Sequence, residues 1–300
     1  MVDPTRRRRA RRRLLIGASA AVVAVLVLVG LNTLAHHRGW IVERRAPEAL
    51  SAELSPFYRI HQPDGPGPFP TALLYSGCDG PHDNMRRWAD ALVADGWAAV
   101  IVDSHAPRGY DDHEAWRLVC LGQLLAGGER AGDVLVSLSD VRAMDFVDAD
   151  RMALIGMSHG GWSIMDLLAM DAAGELPLNL AGAPGAPDNP PLSGVAGVVL
   201  VYPWCGPTNR AVEEGWDHPA PILFVLADDD VIAPSADCRA VAATLQAQGR
   251  SVEIVSFAGV THGFDQKDRA GFSALVFDAD ATRESLLKAI GFLDDAAAAR

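Results

Sequence analysis

Residues 154–162 read LIGMSHGGW, a segment in which Gly156, Ser158 and Gly160 form the pattern GxSxG. The apolar run 151–157 is typical of a buried parallel strand, and apolar residues at helical spacing follow the serine. Such a segment predicts a strand, a tight turn and a helix, with the Ser158 hydroxyl exposed at the carboxyl end of a sheet. Glycine is expected at positions 156 and 160 because a Cβ there would meet neighbouring backbone. The pattern indicates a nucleophile; a glycine–serine turn without chemistry is the alternative.

Strand and helix patterns alternate along the rest of the chain. The predicted strands cover residues 57–62, 71–75, 98–102, 152–155, 195–201, 221–226 and 252–257. The predicted helices cover residues 83–94, 132–147, 163–170, 235–248 and 281–294. This order predicts an α/β fold with a mainly parallel sheet and helices on both faces. The chemistry is then expected in the loops beyond the carboxyl ends of the strands.

Charge is distributed unevenly along the 300 residues. The formal net charge is −12, and it becomes about −18 when the six net positive charges of residues 1–13 are set aside. A main domain this acidic lacks the basic surface that phosphates require. The composition therefore argues against nucleic-acid binding.

Residues 14–35 contain no charged side chain and are long enough to cross the hydrocarbon core of a bilayer. The arginine cluster immediately before them predicts a cytoplasmic amino terminus by the positive-inside rule. We expect a basic cytoplasmic tail at 1–13, a single-pass transmembrane anchor at 14–35, a polar linker at 36–55 and an extracytoplasmic domain at 56–300. The alternative is a long signal sequence that is cleaved on export, for which the RRRLL motif at 11–15 loosely resembles a twin-arginine signal.

Four cysteines lie on the predicted outer side of the membrane, at positions 78, 120, 205 and 238. An even number in an oxidising compartment favours two disulfides, and four buried free thiols are the alternative. The spacing gives no support for a metal site.

A serine nucleophile requires a base and a group that orients the base. His262 follows the last predicted strand and is the candidate base. The alternative is a histidine that lies in a surface loop and has no catalytic role. Residues 228–230 are three aspartates directly after another apolar run, and one of them is the candidate acid. Their alternative is a solvated turn. The chain order of serine, acid and histidine is that of the α/β-hydrolases.

An oxyanion hole needs two N–H donors that converge on the developing negative charge. The backbone N–H of His159 is one candidate. The other is the N–H of Cys78, in the glycine-containing segment 76–80, where an ordinary glycine turn is the alternative. The proline- and glycine-rich residues 172–194 predict a surface excursion that could shape the pocket.

The chain from about residue 57 to 293 resembles the dienelactone hydrolase family of the α/β-hydrolase fold, in particular its exported members. Besides GxSxG, the resemblance rests on five ordered motifs: YSGCDG at 75–80, DSHAPRG at 103–109, YPWC at 202–205, ADDDVIAP at 227–234 and THGFD at 261–265. Aligning ADDDVIAP with the family pattern selects Asp230 as the acid. The resemblance also implies the disulfides Cys78–Cys120 and Cys205–Cys238. Arg108 is expected either to contact an anionic substrate or to pair with an acid.

Typical dienelactone hydrolases carry cysteine at the elbow, where this chain has Ser158. Hydrolysis of dienelactone is therefore not expected to transfer. The sequence predicts a serine hydrolase that cleaves an ester or related acyl bond of a small molecule through Ser158, His262 and Asp230, without a cofactor. A non-catalytic binding module on the same scaffold and a peptidase of the same fold are the competing hypotheses. The oligomeric state stays open.

Overall fold

The computed structural model describes residues 4–185, 190–269 and 273–300. Its helices are α1 Pro4–His37, α2 Pro47–Leu54, α3 Asp83–Ala94, α4 Asp112–Glu114, α5 Gly127–Arg142, α6 His159–Ala172, α7 Ala211–Glu214, α8 Ser235–Ala247 and α9 Ala279–Ala298. Its strands are β1 Tyr58–His61, β2 Phe69–Tyr75, β3 Ala98–Val102, β4 Val147–Met157, β5 Val195–Val201, β6 Ile222–Ala227 and β7 Val252–Phe257.

The strands form one sheet in the order β1-β3-β2-β4-β5-β6-β7. All neighbours are parallel except β1, which pairs antiparallel with β3 at the edge. In the centre, Leu73 of β2 lies opposite Val100 on one side and Leu154 on the other. The carboxyl ends of β4, β6 and β7 therefore lie at one edge of the sheet, where the predicted functional residues follow them.

Helices cover both faces of this sheet. The alternation along β2 sends Leu73 and Tyr75 into a core shared with α2, α5, α6 and α8, and Ala72 and Leu74 into a core shared with α3 and α9. Strands buried on both faces read as continuous apolar runs, as β3, β5 and β6 do. The predicted α/β fold with a mainly parallel sheet and helices on both faces is confirmed.

One helix was placed several residues too late by the sequence pattern. Residues 132–147 were expected to be helical, but α5 begins at Gly127 and ends before Val147, which pairs with Phe69 in the sheet. Glycine is a poor helix former, which hides the start of α5 in the sequence. A Cβ at position 127 would lie only 2.3 Å from Trp162 Nε1, so glycine is what lets α5 pack closely on α6.

Two segments expected to be loops are partly built into the core. Within the predicted linker 36–55, Pro47–Leu54 forms α2 and buries Leu50 and Leu54 almost completely. The predicted excursion 172–194 contains buried Leu180, which forms a β-bridge with Arg45. Residues 186–189 of that excursion lie outside the described residues.

The amino-terminal helix α1 contains one segment, Arg11–His37, that is long and apolar enough to cross a membrane. Its side chains are exposed from Leu14 to Leu31. Length and apolar composition are shared by membrane anchors and signal sequences, so both predicted alternatives are compatible with this helix.

Both disulfides form with the pairing that the family resemblance implies. Cys78 is bonded to Cys120 with a Cα–Cα distance of 5.0 Å, and Cys205 is bonded to Cys238 at 5.1 Å. The described residues contain no free cysteine. Disulfides persist in oxidising compartments, which favours an extracytoplasmic domain.

Candidate active site

Ser158 occupies the turn between β4 and α6. Its backbone is strained, with φ 49° and ψ −110°, in the left-handed region that residues other than glycine rarely adopt. A Cβ at Gly156 would lie 2.5 Å from the backbone nitrogen of Gly161, and a Cβ at Gly160 would lie 2.3 Å from the carbonyl oxygen of Tyr75. The two glycines of GxSxG are therefore required by close backbone contacts, and the expected strand, turn and helix are present.

The structure brings Ser158, His262 and Asp230 into one hydrogen-bonded chain. His262 Nε2 lies 2.9 Å from Ser158 Oγ, and His262 Nδ1 lies 2.6 Å from Asp230 Oδ2. A carboxylate only accepts hydrogen bonds, so Nδ1 carries the proton and Nε2 is free to accept the serine proton. All three residues are largely buried. This geometry is that of a nucleophile, a base and a group that orients the base.

The same geometry distinguishes Asp230 from its two neighbours. Asp230 Oδ1 accepts hydrogen bonds from the backbone N–H groups of Ile232, at 2.8 Å, and Ala233, at 2.7 Å. These bonds aim the other oxygen, Oδ2, at His262. Asp228 and Asp229 are exposed, and Asp228 pairs with Arg239 at the surface.

Tyr202 packs against the ring of His262 and is held by Asp265. The sequence analysis did not identify either residue as part of the site. The Tyr202 ring lies 4.8 Å from the His262 ring, and its hydroxyl donates to Asp265 Oδ1 at 2.5 Å. Asp265 Oδ2 accepts from Trp88 Nε1 at 2.8 Å. Burial raises the pKa of the Asp265 carboxyl above its ordinary value. The signal in the sequence is the carboxyl in THGFD, three residues after the candidate base.

The two candidate oxyanion donors lie on either side of Ser158. His159 is the first residue of α6, so its N–H is one of the groups that a helix start leaves without an intrahelical partner. Cys78 follows Gly77, whose Cβ, if present, would lie 3.8 Å from Ser158 Cβ. Neither N–H has a hydrogen-bond acceptor within the described ranges. Both are thus available to a ligand beside Ser158.

Arg130 contacts the segments that carry the two candidate donors. Sequence reasoning missed it. Its guanidinium is fully buried and donates to the Ser76 carbonyl oxygen at 2.8 Å, to Ser76 Oγ at 3.3 Å and to Ser104 Oγ at 3.1 Å. It also donates to His159 Nδ1 at 3.1 Å. One rigid fork therefore holds the segment before Cys78 and the side chain of His159 together.

Burial determines the charge states in this cluster. Burial lowers the pKa of Arg130 to about 10, which leaves the guanidinium charged at neutral pH. Burial, together with the charge of Arg130, holds the pKa of His159 well below its ordinary value. His159 is therefore neutral, and its Nδ1 accepts from Arg130.

We expect the variant Arg130→Met to lower kcat for ester hydrolysis by about 100-fold, because the two backbone donors lose their common support. KM should change by only about threefold, since the guanidinium does not line the pocket. Arg130→Lys should recover part of kcat by restoring the charge and one donor. Thermal unfolding of each variant shows whether it is folded; an unchanged kcat in folded Arg130→Met contradicts the positioning role.

His105 is a second support for the Cys78 segment. Its Nε2 donates to the Cys78 carbonyl oxygen at 3.0 Å, and its backbone N–H donates to Asp103 Oδ1 at 2.9 Å. Burial, followed by the charge of Arg130, lowers the pKa of His105 to about 4. The imidazole is therefore neutral at physiological pH.

This lowered pKa predicts loss of stability in acid. Between pH 6.5 and about 4 the unfolded chain binds a proton at His105 that the folded protein does not, so the free energy of unfolding falls as the pH falls. The contribution is about 3 kcal/mol when the whole window is crossed. Urea unfolding of the wild type and of His105→Gln at a series of pH values measures it. A smaller slope is expected for the variant, and equal slopes contradict this assignment.

Arg108 does not line either cavity at Ser158. Its two terminal nitrogens pair with the two carboxylate oxygens of Asp133, at 2.9 Å and 3.0 Å. Asp133 is fully buried, and this bidentate pair satisfies its charge. Of the two expectations for Arg108, the structure shows the pairing with an acid.

Two cavities meet at Ser158. One has a volume of about 330 Å³ and extends from Ser158 past His262 toward Leu275. The other has a volume of about 360 Å³ and extends past Trp162 to Thr33 and His37 of α1. Residues 78 and 120 line both, so the Cys78–Cys120 disulfide stands between them. In the described part of the chain, no group of three His, Cys, Asp or Glu side chains could hold a metal ion.

Comparison with known protein families finds a match over part of the chain. Residues 186–297 match the family model of the dienelactone hydrolase family. The matched segment is 112 of the 300 residues. The match includes Asp230 and His262 with their supporting strands. It confirms the resemblance inferred from the motifs and supports the prediction of a hydrolase.

Solved structures share the fold over most of the chain. A candidate dienelactone hydrolase from Klebsiella pneumoniae subsp. pneumoniae superposes with a TM-score of 0.59 at 17% identity, covering 79% of this chain and 92% of that one. Esterase 2 of Thermogutta terrifontis, phosphorylated by paraoxon, superposes with a TM-score of 0.57 at 17% identity, covering 79% and 88%. At this identity the likeness shows the α/β-hydrolase fold.

A curated relative is acylamino-acid-releasing enzyme 1 from Oryza sativa subsp. japonica. It is 24% identical over 227 residues, which cover 66% of this chain. The matched part is only 28% of that relative, so the chain spans much less than the whole of it.

Proposed function

We propose that this protein is a membrane-anchored serine hydrolase that cleaves a carboxylic ester or related acyl bond. The observation that carries the proposal is the hydrogen-bonded chain from Ser158 Oγ through His262 to Asp230, on a strained turn beside two unpartnered backbone donors. The dienelactone hydrolase match and the fold shared with an esterase support ester chemistry. Because a serine replaces the family's usual cysteine, dienelactone itself is not the proposed substrate.

The geometry leads to a two-step acyl transfer. His262 Nε2 takes the proton of Ser158 as Oγ attacks the carbonyl carbon, and Asp230 stabilises the imidazolium that forms. The N–H groups of His159 and Cys78 bind the oxyanion of the tetrahedral intermediate. His262 then gives the proton to the leaving alcohol, and an acyl-enzyme on Ser158 remains. Water repeats the sequence, releasing the acid and regenerating the serine.

We also propose that α1 is a retained, single-pass anchor with residues 1–13 in the cytoplasm. Support comes from the exposed apolar length of the helix, from the arginines before it and from two disulfides in the domain that follows. Residues 56–300 would then be the extracytoplasmic catalytic domain, with α2 packed onto it. A cleaved signal sequence is the alternative, and the mass of the mature protein distinguishes the two.

A fluorophosphonate probe tests the enzyme assignment on the full chain in detergent. We expect one covalent adduct on the peptide that contains Ser158, with none in Ser158→Ala. Ser163→Ala is the matched control, because Ser163 lies one turn later in the same helix and donates to the His159 carbonyl oxygen at 2.8 Å. It should label like the wild type. A folded wild-type protein that is not labelled contradicts the proposal and favours a binding module on this scaffold.

The peptidase hypothesis is tested in the same sample. The curated relative is named for release of acylamino acids, so an N-acetylated amino-acid anilide is the appropriate amide substrate. We expect a much lower kcat/KM for this amide than for a p-nitrophenyl ester of the same acid. The reverse order would favour the peptidase.

A further inference from the structure

We propose that the cavity between α1 and Ser158 receives its substrate from the outer leaflet of the membrane, so that the physiological ester is a lipid-like molecule with a long apolar chain. This inference rests on the proposed function and names its substrate class. Its starting point is that Thr33 and His37 of α1 line the same cavity as Ser158. The anchor is therefore part of the wall of the binding site, in addition to being a tether.

The end of α1 is fixed to the domain by polar contacts. Asn32 Nδ2 donates to the Gln123 carbonyl oxygen at 2.8 Å, and Gln123 Nε2 donates to Thr33 Oγ1 at 2.8 Å. One turn later, His36 is 8% exposed and lies 3.4 Å from a carboxylate oxygen of Glu129 on α5. These contacts join the last turns of α1 to two separate places in the domain, Gln123 and Glu129, so the helix end and the cavity keep one relative position.

The position of these contacts along α1 determines how close the domain lies to the bilayer. The exposed part of the helix, from Leu14 to Leu31, is about 27 Å long at about 1.5 Å per residue. That length is close to the roughly 30 Å hydrocarbon core of a bilayer. Asn32 and the segment that it contacts therefore lie at the outer boundary between acyl chains and headgroups.

The surface around the cavity mouth suits that boundary. Leu121, two residues before Gln123, is 65% exposed and lines the cavity that α1 also lines. Trp116 and Ile232 are 45% and 44% exposed and line the cavities at Ser158. Trp40, just after α1, is 70% exposed. Tryptophan and aliphatic side chains are the residues that proteins place in a membrane interface.

This placement gives an apolar chain a dry route to the nucleophile. An ester in the outer leaflet can move its chain past Leu121 and Thr33 toward Ser158 without exposing the apolar chain to water, which is unfavourable. A short soluble ester gains little from the same route. Preference for a bilayer-borne substrate then follows from where α1 meets the domain.

The test compares two esters with the same reporter group on the full chain in phosphatidylcholine vesicles. One is water-soluble p-nitrophenyl acetate, and the other is p-nitrophenyl palmitate dissolved in the vesicle membrane. The variant is Leu121→Glu, which places a charge at the cavity mouth. Leu287→Glu is the matched control, because Leu287 is 66% exposed on α9 and lines neither cavity at Ser158.

We expect Leu121→Glu to lower the ratio of palmitate to acetate turnover by about tenfold or more, and Leu287→Glu to change it by less than about twofold. An unchanged ratio in Leu121→Glu, or an equal fall in both variants, overturns the membrane route while leaving acetate hydrolysis and Ser158 labelling intact. If the wild type hydrolyses neither the acetate nor the palmitate ester and is not labelled at Ser158, the proposed function is overturned together with this inference.

Discussion

Replacing Ser158 by alanine is expected to lower kcat/KM for p-nitrophenyl acetate by at least about 10⁴-fold. The hydroxyl is the only group placed at 2.9 Å from His262 Nε2 within the described residues, so nothing nearby can take over the attack. Alanine keeps the Cβ and can adopt the same strained φ, which leaves the fold intact. Hydrolysis rates and thermal unfolding of both proteins are the measurements.

Two results would contradict this prediction. One is retained hydrolysis in a pure, folded Ser158→Ala sample, which would place the chemistry elsewhere. The other is an equal loss of kcat/KM in Ser163→Ala, which would indicate that any disturbance of α6 is enough to abolish hydrolysis. We expect Ser163→Ala to retain wild-type turnover.

The second large effect is expected for Asp230→Asn, with a fall in kcat of about 10³- to 10⁴-fold. The two backbone N–H groups of Ile232 and Ala233 require an acceptor at Oδ1, so the side-chain oxygen of asparagine will take that place. Its NH₂ group then faces His262 and donates to Nδ1. The proton moves to Nε2, which can no longer accept from Ser158.

Asp229→Asn is the matched control, because Asp229 is the exposed neighbour of Asp230. We expect it to keep wild-type kcat within about twofold. Near-normal turnover in Asp230→Asn, with a loss in Asp229→Asn instead, would mean that the orienting acid is misassigned. The pH dependence of kcat for the three proteins adds a readout that a purely structural role would not change.

The framework of the fold was predictable because its signals are local. Strands β3, β5 and β7 match the predicted runs to the residue, since short apolar segments bounded by turn residues leave little freedom. Ser158 was predictable for the same reason: strand, glycines and helix are contiguous. His262 and Asp230 could be chosen because each directly follows a strand, and parallel strands bring their carboxyl ends to one edge.

The supporting groups were not predictable, because their partners are distant in the chain. Arg130 sits in a glycine-rich helix start and contacts residues 54 and 29 positions away. A buried arginine carries no periodic signal, and composition alone assigns it to the surface. Asp265 and Tyr202 are likewise joined across 63 positions.

The same limit applies at the amino-terminal side of the domain. The segment 36–55 contains enough charge to resemble a linker, yet Leu50 and Leu54 lie one turn apart and are buried against α5. Nothing in the sequence of residues 32–37 indicates that the end of α1 contacts the domain beside the cavity. That contact depends on Gln123 and Glu129, about ninety residues further on.

The central claim is that Ser158 carries the acyl group during turnover, and rapid mixing followed by mass spectrometry tests it most directly. The wild-type full chain is mixed with p-nitrophenyl acetate and quenched in acid within the first turnover. The account predicts a burst of p-nitrophenol and one acetyl group on the peptide containing Ser158, absent from Ser158→Ala. Rapid hydrolysis with no acetylated peptide, or with the acetyl group on another residue, would contradict it.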